Sequence, residues 1–323
     1  MRVKMKKITL YSPGLASYNI GDKIIADSAK REMQPLLSKA FVTEIPTHTP
    51  HSWYYMRPLI KNDYKFVLGS NLLKPTFFGF KRQWDITLFK SWITGPCILI
   101  GAGWWQYGVK PNFYTKLLYK KVLDSNYFHS VRDEYTKKML EEAGFKNVIN
   151  TACPTMWSLT KEHCESIKTS KSNNVIVTLT DYNKDIFSDK KLISLLSDKY
   201  DEVYYWPQGI GDYEYFNELN IEKDNVKIIA PSLESFDEVL SSGNVDYIGT
   251  RLHGGVRALQ KKVRTLILAI DNRAWEKKKD FNLPVVERND EVAISNFINN
   301  DYKVDVKIPI DSINRWKKQF ETC

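Results

Sequence analysis

Apolar positions along this chain fall mainly in short runs of four or five residues. Each run closes on glycine or a polar turn and gives way to a helical spacing. Residues 8–11 form the first run, ending at Ser12, Pro13 and Gly14, and a helical pattern follows over 23–37. Runs at 65–68 and 97–100 end at Gly69 and at Gly101-Ala102-Gly103; a fourth, 127–131, leads into a helical stretch over 134–143 that Gly144 stops. Glycine terminates helices because it alone enters the left-handed region cheaply. Short strands alternating with helices predict a parallel sheet covered on both faces.

Over 151–171 the alternation lapses into a polar stretch, which predicts a domain boundary. The pattern then restarts, with strands expected at 174–179, 202–206, 227–229, 246–249 and 264–270 and helices at 190–198, 235–241 and from 254. The expectation is an α/β fold of two Rossmann-like domains, 1–165 and 166–323, facing a cleft. Ligands in such sheets lie beyond the carboxyl ends of the strands.

Composition narrows the function. The 323 residues, 43% hydrophobic, suffice for two cores and exclude a disordered or fibrous chain. No apolar run approaches the roughly 18–20 residues of a membrane span, and the first residues lack the features of a secretory signal. A cytoplasmic protein is therefore expected. Cys97, Cys153, Cys164 and Cys323 form no CxxC pair, so neither a disulfide framework nor a metal site is expected.

The 47 Lys+Arg against 38 Asp+Glu leave a charge of +9, but the basic residues are spread along the chain without a nucleic-acid-binding motif, and no nucleic-acid partner is expected. One stretch, 110–121, sets Lys110, Lys116, Lys120 and Lys121 among Phe113, Tyr114 and Tyr119. It fits a weak contact with the anionic inner face of the cytoplasmic membrane, or a helix with a buried stripe and a solvated basic face.

Four constellations carry candidate chemistry. Asn19-Ile20-Gly21-Asp22 opens the first helix, where free N–H groups and a glycine suit an anion and where Asn19 and Asp22 also suit plain capping. Gly69-Ser70-Asn71 and Gly101-Ala102-Gly103 follow apolar runs, as ligand loops do, without forming a P-loop or a full GxGxxG. Ser130-Val131-Arg132-Asp133 places a guanidinium at a strand end, either as a fork for a carboxylate or phosphate or as an ion pair capping the next helix. Gly249-Thr250-Arg251-Leu252-His253-Gly254-Gly255 carries the most weight. In an extended segment Arg251 and His253 point the same way, pairing a cation with a titratable imidazole. His48, His51, His129 and His163 lack such a setting and read as surface or packing residues.

Taken in order, Asn-x-Gly-Asp, Ser-Val-Arg-Asp and Arg-Leu-His followed by glycine resemble the polysaccharide pyruvyl transferases. Trp206-Pro207-Gln208 with Asp212, and the segment 268–273 containing Asp271, are similar to that family as well. Gly69-Ser70-Asn71 stands where Gly-Gly is usual, Ile270 and Arg273 where Tyr and Lys are common, and Cys153-Pro154 where Asp-Pro is frequent.

The resemblance implies a GT-B-like fold, phosphoenolpyruvate as donor and no cofactor. The acceptor would be a sugar hydroxyl pair on a free or lipid-linked glycan, and the product a cyclic pyruvate ketal in exopolysaccharide, capsule or cell-wall glycan. It assigns Arg132, Arg251 and Gly254 to the donor, His253 to proton transfer and Asp22 to the role of base, with Asn19, Gly21, Asn71, Gly103, Gln208 and Asp271 as further cleft candidates. The alternatives are a GT-B glycosyltransferase using a nucleotide sugar and a non-catalytic glycan-binding protein.

Overall fold

A computed structural model describes residues 5–50, 52–77, 83–105 and 107–321. The chain divides into two compact units. The first comprises Met1–Ser17, Ile25–Trp157 and Pro309–Cys323; the second comprises Tyr18–Ile24 and Ser158–Ile308. The division differs from the expected 165/166 boundary in two respects. Residues 18–24 and the final segment each belong to the other unit, and the main break lies at 157/158.

The first seven residues of the polar stretch behind that expectation are no exposed linker, whereas residues 168–171 are exposed. Thr151 to Trp157 is buried, and Thr151 Oγ1 bonds Ser130 Oγ at 2.6 Å. The following helix, Lys161–Glu165, is capped by Thr160 and tied to the second unit by His163 Nε2 at 2.8 Å from the Leu259 carbonyl.

In the first unit six parallel strands lie in the order β2-β1-β3-β4-β5-β6. They are β1 Lys6–Ser12, β2 Ala40–Pro46, β3 Tyr64–Leu73, β4 Ile98–Trp104, β5 His129–Val131 and β6 Val148–Asn150. The second unit repeats the architecture with β7 Asn174–Thr178, β8 Glu202–Tyr205, β9 Val226–Ile228, β10 Val245–Gly249, β11 Thr265–Ala269 and β12 Val285–Glu287. Its order, β12-β11-β10-β7-β8-β9, reverses direction between β7 and β10. There Gly249 is obligatory, because a Cβ would lie 2.2 Å from Thr178 Oγ1.

Gly69 and Gly101–Gly103 are not loops after strands. They lie inside β3 and β4, which run on to Leu73 and Trp104. Gly69 lets the two strands close together, since a Cβ would meet the Gly101 carbonyl oxygen at 2.4 Å. The pairing slips between Ser70 and Leu73, with Ser70 at φ 145°, so this stretch of sheet is strained rather than free.

The final helix, Ile310–Lys318, completes the first unit. Its Trp316 is buried, donates its indole N–H to the Phe128 carbonyl at 2.8 Å and packs against Trp157, Phe66 and Phe320. Among the described residues no helix is long and apolar enough to cross a membrane. Cys97, Cys153 and Cys164 are free and buried; Cys323, like His51, lies outside the described residues.

His129 and His163 are packing residues, and His48 holds the Ala16 carbonyl at 3.0 Å. His129 is sealed within the first unit. Its Nδ1 accepts from the Leu99 N–H at 3.3 Å and its Nε2 donates to the Asp124 carbonyl at 2.8 Å. Burial, partly opposed by the Asp124 bond, pushes its pKa down to about 4. The unfolded imidazole titrates near 6.5, so between these values the unfolded chain binds the extra proton. Stability from this group should be full above about pH 6.5 and fall by roughly 3 kcal/mol as pH drops toward 4. Urea titrations at pH 7 and 4.5 should show this slope in the wild type and a shallower one in His129→Asn.

Candidate functional site

The second unit gathers most of the candidate residues at the point where its strand order reverses, the place where such sheets bind ligands. Arg251 follows β10 and caps the helix Leu252–Gln260, so that helix starts two residues earlier than the spacing predicts. Arg251 and His253 therefore do not share a strand face, and His253 instead occupies the first turn, 9% exposed. Gly254 and Gly255 press the helix onto the sheet. A Cβ would lie 2.8 Å from Tyr247 Oη at the former and 2.5 Å from Ile267 Cγ1 at the latter.

Arg251 is not a bare cation. Its Nε donates to Asp212 Oδ2 at 2.9 Å, and its Nη2 donates to Asp212 Oδ1 and, at 2.9 Å, to Asp181 Oδ1. Asp212 is fully buried at the third position of the helix Ile210–Glu218, where it also accepts the backbone N–H groups of Gln208, Gly209 and Asp181. Burial raises the Asp212 carboxyl above its usual range against the pull of Arg251. Burial likewise works against the arginine's charge, but Asp212 prevails and keeps Arg251 cationic.

The network extends both ways. Gln208 donates through Nε2 to Asn19 Oδ1 at 3.0 Å, the same oxygen that accepts the Gly21 N–H, and the Gln208 carbonyl accepts the Ile20 N–H at 2.8 Å. Gly21 must be small, since a Cβ would lie 2.7 Å from Gln208 Nε2. Asp22, half-buried, donates its N–H to the Asn19 carbonyl at 3.0 Å. On the other side the Arg251 guanidinium stands 5.2 Å from the Tyr182 ring centre, and Arg273 stands 5.8 Å from it. Arg273 also pairs with Asp271, whose carboxyl stays below its usual range because these bonds outweigh its burial. Gln208 Oε1, buried without a hydrogen-bond partner among the described residues, is an acceptor that a ligand O–H or N–H would satisfy.

A second cluster stands in the first unit. Arg132, after β5, crosses the β4 backbone at Gly103, where a Cβ would lie 2.2 Å from its Cζ. Its Nη2 donates to Asn71 Oδ1 at 2.5 Å and its Nε to Asp133 Oδ2 at 3.2 Å. Asp133 meanwhile caps the helix Glu134–Glu142 by accepting the Thr136 N–H at 2.7 Å. The capping ion pair is therefore real, and Asn71 and Gly103 are its partners.

Sequence reasoning missed Asp181, Tyr182 and the central place of Asp212. The available signal was the polar Thr180-Asp181-Tyr182 directly beyond the apolar β7. Among the described residues no group of three or more His, Cys, Asp or Glu is placed to hold a metal ion.

The sequence matches the model of the polysaccharide pyruvyl transferase family over residues 19–272, a span that contains every constellation above. The chain belongs to that family. No curated protein matches the sequence.

Solved structures show the fold that this pyruvyl transferase relative adopts. The Methanocaldococcus jannaschii UDP-GlcNAc 2-epimerase in complex with UDP-GlcNAc and UDP is 12% identical, with a TM-score of 0.56 over 98% of this chain and 99% of that one. A putative UDP-N-acetylglucosamine 2-epimerase from Listeria monocytogenes gives 12% and 0.56 over 99% and 98%. The Neisseria meningitidis UDP-GlcNAc 2-epimerase bound to UDP-GlcNAc gives 15% and 0.51 over 98% and 99%. All three share the GT-B type of fold, and at these identities the likeness concerns fold alone.

Removing either carboxylate from Arg251 should have unequal effects. Asp212→Ala leaves a buried guanidinium without its main partner and should cost about 3–5 kcal/mol. Asp181→Ala, at a partly open position, should cost within about 1 kcal/mol. Denaturant unfolding of the two variants measures this; equal losses would remove Asp212 from the centre of the network. In the first unit, Gly103→Ala should dislodge Arg132 and cost about 1–3 kcal/mol by overpacking, read as a lowered denaturant midpoint, because an added Cβ would lie 2.2 Å from the Arg132 Cζ.

Proposed function

We propose that this family member transfers the enolpyruvyl group of phosphoenolpyruvate to a pair of sugar hydroxyls, forming a cyclic pyruvate ketal on a bacterial glycan. The observation that carries the reading is Arg251, a buried guanidinium aligned by Asp212 at the reversal of the second sheet, with His253 in the first turn of the helix that Arg251 caps.

The reaction balances as follows. A proton adds to the methylene carbon, leaving an oxocarbenium-like centre at the neighbouring carbon. The first sugar hydroxyl attacks that centre and loses its proton, the C–O bond to phosphate breaks, and the second hydroxyl closes the ring. Two hydroxyl protons are released; one replaces the proton taken up by carbon and the other goes to phosphate. His253 supplies one of these protons, to the methylene carbon or to the departing phosphate, and Asp22 takes the acceptor hydroxyl's proton. No residue here needs a metal for these steps.

The donor carries a carboxylate and a phosphate, each suited to a guanidinium. Arg251 is assigned to one of them. On Arg251 the two carboxylates differ: the Asp212 side chain is 0% exposed and that of Asp181 is 35%. Asp181 is therefore the partner that an incoming anion displaces, while Asp212 keeps the guanidinium aimed.

Phosphoenolpyruvate should raise the melting temperature of the wild type. Arg251→Lys should lose most of that effect, because a point charge does not fork onto a carboxylate. Stabilisation by a nucleotide sugar, with none from phosphoenolpyruvate, would overturn the reading in favour of a glycosyltransferase. His253→Gln should retain phosphoenolpyruvate binding and lose about 10²–10⁴-fold in turnover. Turnover within about threefold of wild type would remove His253 from proton transfer.

A further inference from the structure

The positive charge of this chain is not evenly spread, contrary to the first reading of its sequence. Residues 45–123 hold eleven Lys and Arg against two acids, Asp63 and Asp85, an excess of nine that equals the excess of the whole chain. The same segment holds 17 of the 42 aromatic residues. Part of that aromatic surface is outside the core.

The helix Phe113–Val122 shows how the segment is sorted. Thr115, Leu118, Tyr119 and Val122 form its buried stripe, and the Tyr119 hydroxyl is spent on the Lys74 backbone. Tyr119 is therefore a core residue, not a surface one, and Tyr114 is partly packed against that core. Lys110 is paired with Glu142 at 3.3 Å. What the helix presents outward is Phe113 and Leu117, beside Lys116, Lys120 and Lys121.

This stripe does not stand alone. The Leu88 N–H donates to Tyr114 Oη at 3.4 Å, so the segment that carries Phe89, 85% exposed, lies against the helix that carries Phe113, 82% exposed. Three residues on, Trp92 meets Trp53 with ring centres 4.7 Å apart, and Tyr54 and Tyr55 follow, both exposed. Arg57 and Lys61 extend the cationic side. Phe89 precedes the helix Ser91–Thr94, beside a Lys90 that pairs with Asp85 at 2.9 Å, and the three short helices that carry the other rings, Trp53–Met56, Ser91–Thr94 and Phe113–Val122, contain no acidic residue.

We propose that this aromatic face of the first unit docks on an anionic lipid bilayer. Two features select that partner over a protein or a soluble glycan. Phe89 and Phe113 project as isolated apolar tips, suited to entering an acyl boundary rather than to stacking in a groove. The Trp and Tyr rings, with Lys116, Lys120 and Lys121, which form no ion pair among the described residues, match the depth at which amphipathic rings and cations sit at a headgroup layer. The docking is reversible: it rests on surface rings and cations, and among the described residues no helix is long and apolar enough to span a bilayer. It holds independently of which donor the second unit uses.

The test is co-sedimentation of the full chain with vesicles of phosphatidylcholine alone and of phosphatidylcholine mixed in equal parts with phosphatidylglycerol. Binding should require the anionic lipid and weaken with salt. Lys116→Gln, Lys120→Gln and Lys121→Gln together should weaken it about a hundredfold, at roughly fivefold for each cation near the surface. Phe89→Ser with Phe113→Ser should weaken it at least about tenfold with an unchanged melting temperature, both positions being exposed. Absence of binding at low salt, or binding indifferent to the two phenylalanine substitutions, would overturn the proposal. So would a concentration-dependent dimer that those two substitutions dissolve, which would give the face to a second copy.

Discussion

The second unit is organised around one buried carboxylate. Asp212 accepts from the Arg251 guanidinium and from the backbone N–H groups of Gln208, Gly209 and Asp181. It thereby fixes the start of a helix, the turn after β7 and the arginine after β10 with two oxygen atoms. A charged group sealed from water at this depth is tolerated only when its lone pairs are all met. The arrangement is consequently stiff, and the Arg251 guanidinium is held in one orientation.

A second arginine–aspartate pair in the same unit shows that burial alone does not mark a site. Arg264 and Asp246 are both fully buried, and Asp246 also accepts from the Tyr200 hydroxyl. That pair lies at the amino end of β10, and the guanidinium spends its other donors on the carbonyls of Thr169, Phe297 and Asn300. It clamps the frame. The Arg251 pair lies at the carboxyl end, retains a partly open partner in Asp181 and stands beside an unsatisfied Gln208 oxygen.

Most of the strand and helix alternation was legible because each buried parallel strand must be apolar throughout: the runs at 8–11, 174–179 and 264–270 lie within a residue or two of β1, β7 and β11. The edge strands β2, β6 and β12 were not visible, since Phe41, Val42 and Thr43 face solvent in the first and the other two are three residues long. Glycines misled at β3 and β4, where they serve close approach between strands rather than a turn. The site was legible as far as its motifs, Asn19 with Gly21, Gln208 and Arg251. Its wiring was not, because Asp181, Asp212 and Arg251 are 31 to 70 positions apart in sequence and no local pattern pairs them.

The return of the chain to its first unit bears on how the protein is made. Trp316 and its helix belong to the core around Phe66 and Trp157, yet they leave the ribosome after all of Ser158–Ile308. At about 5–20 residues per second the nascent first unit waits roughly 8–30 s for its last helix. The patch around Phe66 and Trp157 stays uncovered through that interval, so the first unit completes its packing only after the second has been made.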